Sequence, residues 1–286
     1  MGYDFSVFWE IGRLFIQGGS PYAIDVSFYP PVAVYLFALI SLIPLGVGYL
    51  LFTGVNAVLL LLSARKLDKS NSWLWFFYPP AMFIFATGQL DIVFLYFSTL
   101  LLRGGLIAAI GGSLLTIKPQ LAFIALPWFL VKWLKSDRGT LAKWLVLTIC
   151  LHGVPLVIHP HLYSEWFANA GASVSWRLNL SPGVFSLGNL NVPIVILAAI
   201  AIPLAFWGLF KKRETSITTQ LMALPVGIWY GNIFTIGTAP KAILIPVGII
   251  ALVTVVLTKN SFPFFFITLA AFIYRVIKER KKAPSF

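Results

Sequence analysis

The chain has 286 residues, of which 59% are hydrophobic and only 10% are charged. A soluble domain carries about 25% charged residues, so this composition excludes a soluble enzyme, a disordered chain and a nucleic-acid-binding domain. The net charge of +12 is instead typical of a membrane protein with Lys and Arg in its cytoplasmic loops, and a single cysteine excludes a disulfide framework and a cysteine-based metal site.

Residues 1–45 are predicted to form an outer juxtamembrane segment. Residues 5–17 are predicted to be an amphipathic helix in the membrane interface, because four polar residues recur at spacings of four, three and four. These residues are Ser6, Glu10, Arg13 and Gln17. Asp4 stands just before this helix and suits its N-cap, a position that is compatible with a second role as a general base. The run 31–44 is bracketed by prolines and is too short to span, so a re-entrant or interfacial helix is expected.

The rest of the chain contains a series of apolar runs. The clearest candidate spans are 46–64, 141–158, 192–210 and 241–258. Four shorter runs lie between residues 73 and 134, and each reaches only about 20 Å, as expected beside a cavity cut into one face. Weaker runs lie near 217–230 and 262–277. The fold class predicted for 1–286 is therefore a single all-α integral membrane domain, a polytopic bundle of about ten transmembrane helices, several of them short.

The basic residues indicate the orientation of these runs. Three loops rich in Lys and Arg, at 65–69, 132–143 and 211–213, are predicted to be cytoplasmic, since an even number of runs separates each pair. The loop 159–190 then faces outward together with 1–45. The same counting puts the basic C-terminus outside, against the charge rule, so one of the last three runs is expected not to cross the membrane fully.

Few ionic residues remain on the predicted outer face, and charges at membrane depth are by default functional candidates. The bases are Arg13, Lys118, Arg177 and Lys241, and the acids are Asp4, Glu10, Asp25, Asp91 and Glu165. Lys118 stands at a proline-broken helix, where it either meets an anionic ligand group or snorkels. Gln89 and Gln120 are either ligands or helix–helix hydrogen-bond partners, and Asp91 either contributes to a site or pairs with a base.

The outer loop carries further candidates for substrate binding. His159 and His161 are two residues apart with no convincingly spaced third ligand, so a metal site is not expected. Trp166, Trp176 and Arg177 either hold a sugar or phosphate or anchor the loop in the interface. Nucleotide-binding, zinc-protease and serine-hydrolase motifs are absent from the sequence.

Five short motifs follow one another over residues 4–120. They are Asp4-Phe5 with Phe8-Trp9, Gly19-Ser20-Pro21-Tyr22, Tyr29-Pro30-Pro31, Gly88-Gln89-Leu90-Asp91 and Lys118-Pro119-Gln120. In this order they resemble the polyprenol-phosphate-sugar-dependent mannosyltransferases of the GT-C superfamily, in particular the group with the phosphatidylinositol-mannoside mannosyltransferases. The stretch Asn179-Leu180-Ser181-Pro182-Gly183 more loosely resembles a polar stretch of the same group. The chain departs from this group before Asp4, which only three residues precede: either the sequence is shortened at its start or the family's first transmembrane helix is missing.

The resemblance implies a GT-C-like bundle and an inverting sugar transfer on the extracytoplasmic face. The expected donor is mannose, or else glucose, on polyprenyl phosphate, and many members of the superfamily need no metal. The acceptor is expected to be a cell-envelope lipid, glycan or protein, and the site to face outward from a prokaryotic plasma membrane. The expected partners are these substrates and membrane lipids, and neither nucleic acid nor a cofactor other than the lipid-linked co-substrate is expected.

The residues are assigned roles on this basis. Asp4 matches the family's catalytic carboxylate and is predicted to be the general base, with Asp91 or Glu10 as substitutes. The donor phosphate, whose negative charge grows during transfer, is predicted to meet Lys118, Arg177, Arg13 and Lys241. The predicted substrate-binding residues are Glu10, Tyr22, Tyr29, Gln89, Asp91, Gln120, His159, His161, Trp176 and Asn179.

Two other classes of protein are compatible with the same features. A transporter or lipid-linked-sugar flippase would also use broken helices and buried polar residues, although such proteins often carry internal repeats and no repeat is visible here. A non-catalytic membrane scaffold would not need polar residues such as Asp4 and Lys118 at the helix ends.

Overall fold

The computed structural model describes residues 2–24, 29–68, 70–172, 181–225 and 229–281. Within these ranges the regular structure is entirely helical, with no β-strand, which confirms the predicted all-α membrane class. The α-helices are α1 (Tyr3–Ile16), α2 (Pro31–Ser41), α3 (Leu45–Leu67), α4 (Pro79–Thr87), α5 (Asp91–Leu100), α6 (Gly105–Leu115), α7 (Pro119–Ser136), α8 (Arg138–Ile158), α9 (His161–Ala172), α10 (Ile194–Leu209), α11 (Arg213–Ala223), α12 (Lys241–Thr258) and α13 (Phe265–Arg280).

Short 3-10 helices connect several of these elements. They cover Pro21–Ala23, Ser72–Phe77, Leu101–Arg103, Val184–Leu190, Trp229–Thr235 and Phe262–Phe264. Among the described residues, α3, α8 and α12 are long and apolar enough to cross a membrane, and they match three of the four clearest predicted spans. The fourth predicted span, 192–210, forms the shorter α10, which is apolar but has 16 residues.

The chain divides into two compact units. The first comprises Met1–Leu60, Phe83–Ala122 and Trp133–Val174, and the second comprises Leu61–Met82, Phe123–Lys132 and Ser175–Phe286. Each unit is therefore discontinuous in sequence. The assignment of one transmembrane domain to 1–286 stays a prediction.

In the first unit, α1 packs closely against α2 along an apolar face. Phe5, Phe8 and Ile11 recur at the three-residue spacing of one helix face and are buried. Phe8 stacks on Phe37 of α2 with ring centroids 4.8 Å apart. The axes can approach because a Cβ on Gly12 would lie only 2.1 Å from the backbone oxygen of Phe37.

The first turn of α1 is held by a second close contact. A Cβ on Gly2 would lie 2.5 Å from the carbonyl oxygen of Thr87, and a Cβ on Gly88 would lie 2.5 Å from Cβ of Phe5. Gly88 also has a φ of +76°, a conformation that favours glycine. These contacts bring the beginning of α1 against the loop that joins α4 to α5.

The structure corrects the predicted N-cap of this helix. Gly2 is the N-cap, and Asp4 lies in the first turn, where the helix dipole favours an acid. The side chain of Asp4 is therefore available for contacts outside α1. The amphipathic pattern is confirmed, since Glu10, Arg13 and Gln17 are exposed and the apolar face is buried.

The second unit is built around a tight hairpin of α10 and α11. A Cβ on Gly208 would lie 1.7 Å from the hydroxyl oxygen of Thr219, so the side chain of Thr219 packs directly on the backbone of α10 at this point. The hairpin packs on a hydrophobic cluster that also includes Phe265 of α13. Buried polar groups around it bond to one another: Tyr78 meets the hydroxyl of Thr235 at 2.7 Å, and the amide of Asn232 donates to the backbone oxygen of Phe264 at 3.2 Å.

The predicted run 217–230 does not cross the unit as one helix. The hydroxyl of Thr215, at the start of α11, donates to Glu279 at 2.5 Å, and Arg275 donates to the backbone oxygen of Gly237 at 2.8 Å. Residues 215 and 237 therefore lie at the same end of α13. The helix α11 ends at Ala223, and the chain is back at this end of α13 by residue 237. The run 217–230 is therefore the one of the last three predicted runs that does not cross the membrane.

This return path also corrects the position of Lys241. Its ammonium group bonds the carboxylate of Asp68 at 3.1 Å and the hydroxyl of Ser70 at 2.9 Å. The prediction that Lys241 and the loop 65–69 lie on opposite faces is therefore wrong. The reason is that residues 215 and 237 lie at the same end of α13, so the run 217–230 does not count as a crossing and every later helix runs opposite to the predicted direction. With this correction the basic end of α13 lies on the same side as the loop 211–213, as the charge rule requires.

We expect Gly12→Ala to destabilise the protein by about 1–3 kcal/mol, because the added methyl group would overpack the contact with α2. Thermal unfolding in detergent measures the effect. The matched control is Gly54→Ala in α3, where a Cβ meets nothing within 4 Å. The control should be neutral or slightly stabilising, since alanine favours a helix. Equal melting temperatures for the two variants would contradict the close packing of α1 on α2.

Candidate active site

Five of the predicted site residues meet in the first unit. They are Asp4, Tyr29, Gln89, Asp91 and Lys118, which we call the Asp4 cluster. They come from the first turn of α1, the segment before α2, the loop between α4 and α5, the first residue of α5 and the residue before α7. Because α5 and α7 both begin here, the polar residues at their starts are brought together.

A buried ion pair forms the centre of the cluster. Lys118 Nζ lies 2.6 Å from Asp91 Oδ2, and the side chains are 13% and 1% exposed. Pro119 occupies the first turn of α7, where its missing N–H is not needed, and it fixes the backbone just after Lys118. The ammonium group also lies 5.6 Å from the ring centroid of Tyr29, in the range of a cation–π contact. The pairing of Asp91 with a base, considered from the sequence, is thus observed.

Gln89 links the ion pair to Asp4. Its Oε1 accepts from the hydroxyl of Tyr29 at 3.3 Å and from Lys118 Nζ at 3.5 Å. The backbone N–H of Leu90 also donates to Oε1, at 3.4 Å, so the amide nitrogen is the group that can donate to the carboxylate of Asp4. Burial raises the pKa of Tyr29 to about 12, so its phenol stays protonated and can donate. Tyr22 supports this arrangement by donating its hydroxyl to the backbone oxygen of Tyr29 at 2.9 Å.

Asp4 is the acid of this cluster that is open to solvent. Its side chain is half-buried and lies close to Thr87 at the end of α4, whose hydroxyl donates to the backbone oxygen of Phe83 at 2.9 Å. Burial raises the pKa of Asp4 above the usual value, while the polar groups of Thr87 and Gln89 and the charge of Lys118 lower it in part. A carboxylate with a raised pKa in a partly apolar setting is a stronger base than one in water, as proton abstraction requires.

Other predicted residues of the first unit lie apart from this cluster or at its margin. Glu10 and Arg13 are exposed, and Arg13, with its guanidinium 5.2 Å from the ring of Trp9, is nine residues or about 14 Å along α1 from Asp4. Gln120 is half-buried in the first turn of α7. His159 meets the hydroxyl of Tyr35 at 2.6 Å.

The remaining predicted residues cannot be assigned to the cluster. His161 is exposed at the start of α9, with its ring 5.8 Å from that of His159. Lys241 belongs to the second unit and is bound to Asp68. Asp25, Trp176, Arg177 and Asn179 lie outside the described residues. In the part of the chain that the structure describes, no three His, Cys, Asp or Glu side chains group as metal ligands.

The sequence analysis missed two residues that shape this site. Thr87 contacts Asp4 across the interface between α1 and α4, and nothing in the local pattern distinguishes it from an ordinary helical threonine. Tyr49 of α3 donates its hydroxyl to the backbone oxygen of Phe85 at 2.8 Å and so ties α3 to the end of α4. The sequence did offer one indication of Thr87: it directly precedes the candidate motif that begins at Gly88, so it had to lie near the residues of that motif.

The fold and the cluster define a polytopic membrane protein with an acid-and-base site at the ends of its helices. The family model of glycosyltransferase family 87 matches residues 28–232, which is more than half of the chain. The chain therefore belongs to glycosyltransferase family 87, and it is a membrane glycosyltransferase. Family membership thus favours the enzyme over the transporter, flippase and scaffold.

The matched range contains four of the five residues of the Asp4 cluster and does not reach Asp4 itself. The family assignment supports the glycosyltransferase part of the resemblance noted in the sequence. It does not extend to the mannosyltransferase group. No curated protein and no solved structure matches the chain significantly.

We expect Lys118→Met to lower the free energy of unfolding by about 3–5 kcal/mol, because Asp91 would remain buried without its partner. Replacing both residues, as Lys118→Met with Asp91→Leu, should recover much of this loss. Thermal unfolding in detergent compares the three proteins. If the double variant is as unstable as the single one, the ion pair is not the source of the effect.

Proposed function

We propose that the protein transfers a sugar from a polyprenyl-phosphate donor to a hydroxyl group of a cell-envelope acceptor, with Asp4 as the general base. The supporting observation is the setting of Asp4, which is half-open to solvent and oriented by Gln89 and Thr87 beside a buried ion pair. The donor sugar is proposed to be mannose, or else glucose, after the motif resemblance. The acceptor is proposed to be a lipid, a glycan or a protein.

The proposed reaction is a single displacement at the anomeric carbon. The acceptor oxygen attacks this carbon as the carboxylate of Asp4 takes the hydroxyl proton. The bond between the anomeric carbon and the phosphate oxygen breaks, and polyprenyl phosphate leaves with the electron pair. The configuration is inverted because the acceptor attacks opposite the leaving group, and one base is sufficient for this chemistry, unlike hydrolysis with two carboxylates.

The geometry favours Asp4 over the two acids that were considered as substitutes. Asp91 is 1% exposed and is held by Lys118 at 2.6 Å, so it has neither access to an acceptor nor a free lone pair facing solvent. Glu10 is exposed on the polar stripe of α1, six residues beyond Asp4, and it has no contact with the ion pair of Lys118 and Asp91 among its described contacts. We therefore assign proton abstraction to Asp4 and electrostatic support to the Asp91–Lys118 pair.

The role of Lys118 is revised in this proposal. Its ammonium group has three donors, and its neighbours Asp91, Gln89 and Tyr29 engage it. We propose that Lys118 positions Gln89 and Asp4, and that it acts on the donor phosphate through its charge. Arg13, which is exposed, and Arg177 are the proposed direct phosphate ligands, since arginine suits bidentate contacts to phosphate.

The remaining predicted substrate contacts stay proposals. Tyr22 and Tyr29 are buried and act through the cluster, whereas Gln120, His159 and His161 have the exposure needed to meet a substrate. Glu10, Trp176 and Asn179 are kept as candidates for acceptor binding. The proposed mechanism uses no cofactor beyond the lipid-linked co-substrate.

An extracytoplasmic site is supported by the distribution of charge in the first unit. Asp91 and Lys118 stand at the beginning of α5 and α7, while Arg103 follows α5 and Lys135 lies in the last turn of α7. The 18 residues of α7 extend about 27 Å, close to the thickness of the hydrocarbon core. Under the positive-inside rule, the bases at the far ends mark the cytoplasm and the Asp4 cluster faces outward. We propose a prokaryotic plasma membrane as the location.

We expect Asp4→Asn to reduce sugar transfer by about 100-fold or more, because the amide cannot accept the proton. Membranes incubated with radiolabelled polyprenyl-phosphate mannose or glucose provide the measurement. Glu165→Gln, which removes an acid with no assigned role from α9 of the same unit, is the matched control and should retain transfer. Equal transfer by Asp4→Asn and the wild type would refute the assignment of the base. Sealed vesicles of both orientations, given the acceptor only from outside, would test which face holds the site.

We expect a shift in the pH profile when the contact between Thr87 and Asp4 is removed. The hydroxyl of Thr87 lowers the pKa of Asp4, so Thr87→Val should raise this pKa further. Because the base must be deprotonated, the acid limb of the profile should move to higher pH, while the rate well above the pKa changes little. Thr99→Val, which removes a buried hydroxyl bonded only within its own helix turn, is the control. An unmoved acid limb would mean that another group titrates.

A further inference from the structure

An apolar groove lies between α10 and α13 in the second unit. It encloses about 520 Å³ and is lined entirely by apolar side chains, among them Ile200, Pro203 and Trp207 of α10 and Phe272, Ile273 and Ile277 of α13. Trp207 and Phe272 meet edge to face at its floor, with ring centroids 6.3 Å apart. The lining on α10 runs from Ile200 to Trp207, eight residues that extend about 10 Å along the helix.

The groove is open on its outer side. Ile273 is 47% exposed, and Ile200 and Ile277 are exposed to a similar degree. Its floor is fixed, since Phe272 and Leu204 pack against the hydrophobic cluster of the second unit. The groove is thus a preformed apolar channel and not a gap between mobile side chains.

Basic residues stand at one end of the groove. Lys211 follows Trp207 by four residues, and its ammonium lies 4.8 Å from the ring centroid of Trp207. Arg280 follows Ile277 by three residues on the same face of α13 and is exposed. Each wall therefore ends in a positive charge on the same side of the unit, because α11 begins beside the end of α13.

Two acids also lie at the basic end of the groove, and each contacts a neighbouring side chain. Glu214 is paired with Arg213 at 2.9 Å, and Glu279 accepts from the hydroxyl of Thr215 at 2.5 Å. Glu279 keeps its charge in this contact, but the seven bases of residues 211–213 and 275–281 outnumber the two acids, so the mouth of the apolar channel is positive, with Lys211 and Arg280 on its two walls.

We propose that this groove is a binding site for an anionic diacyl phospholipid of the leaflet at the basic end. One acyl chain would lie in the apolar channel, and the phosphate would meet Lys211 and Arg280. An apolar channel that ends in two cations matches the two chemical parts of such a lipid, and basic pockets between membrane helices bind anionic headgroups. A second copy of the chain fits less well, because pairing this face with itself would bring like charges together.

Native mass spectrometry of the detergent-purified protein, with added dioleoyl phosphatidylglycerol or dioleoyl phosphatidylcholine, tests this site. The wild type should retain phosphatidylglycerol in preference to phosphatidylcholine. Lys211→Gln combined with Arg280→Gln should weaken phosphatidylglycerol binding by roughly tenfold or more, since each base near a headgroup contributes measurably. Ile273→Trp should weaken the binding of both lipids by filling the channel.

Two matched controls complete the experiment. Arg138→Gln combined with Lys143→Gln removes the same charge from exposed positions in the first unit, and Ile249→Trp adds the same bulk at a residue 46% exposed on α12. Both controls should bind lipid as the wild type does. Equal retention of the two lipids, or an equal loss in the controls, would overturn the proposal. A dimer that Ile273→Trp dissociates would assign the face to a second copy and would also overturn it.

Discussion

The buried pair of Lys118 and Asp91 is the constraint on which the first unit depends. Either charge alone would be costly to bury, but at 2.6 Å each satisfies the other. The pair sets the relative positions of the two helix beginnings that carry it, those of α5 and α7. Through Gln89 it also orients the carboxylate of Asp4, which belongs to a third helix. One electrostatic contact thus connects the packing of three elements to the geometry of the proposed base.

Glycine performs the complementary task for α1. Gly12 lets this helix approach α2, and Gly2 and Gly88 let its first turn reach the loop between α4 and α5. Larger residues at these positions would push α1 away and separate Asp4 from Thr87 and Gln89. The close approach of α1 to its neighbours therefore fixes the position of Asp4, the proposed proton acceptor. This explains how a helix as short as α1 can hold a site residue in place.

Much of this arrangement could be predicted from the sequence, and its failures have physical causes. Composition alone gave the membrane class, and helix-terminal polar residues such as Gln89, Asp91 and Lys118 were correctly expected to share one face. Lys241 was misplaced because the run 217–230 resembles a membrane span in hydropathy, yet α11 ends at Ala223 and residues 215 and 237 lie at the same end of α13, which hydropathy alone cannot reveal. Thr87 was missed because its partner Asp4 is remote in sequence. The N-cap assigned to Asp4 failed because α1 begins at Tyr3, before the apolar periodicity that marked its predicted start, so Asp4 falls in the first turn.

The charge balance of the Asp4 cluster has a consequence for turnover. Lys118 and Asp91 neutralise each other, so ionised Asp4 supplies the net charge of its surroundings. In the proposed reaction this carboxylate becomes neutral each time a sugar is transferred, and the enzyme must lose a proton before it can act again. Asp4 is only half-buried, so its partial exposure provides the exit, and a fully buried aspartate in the same place would reset slowly.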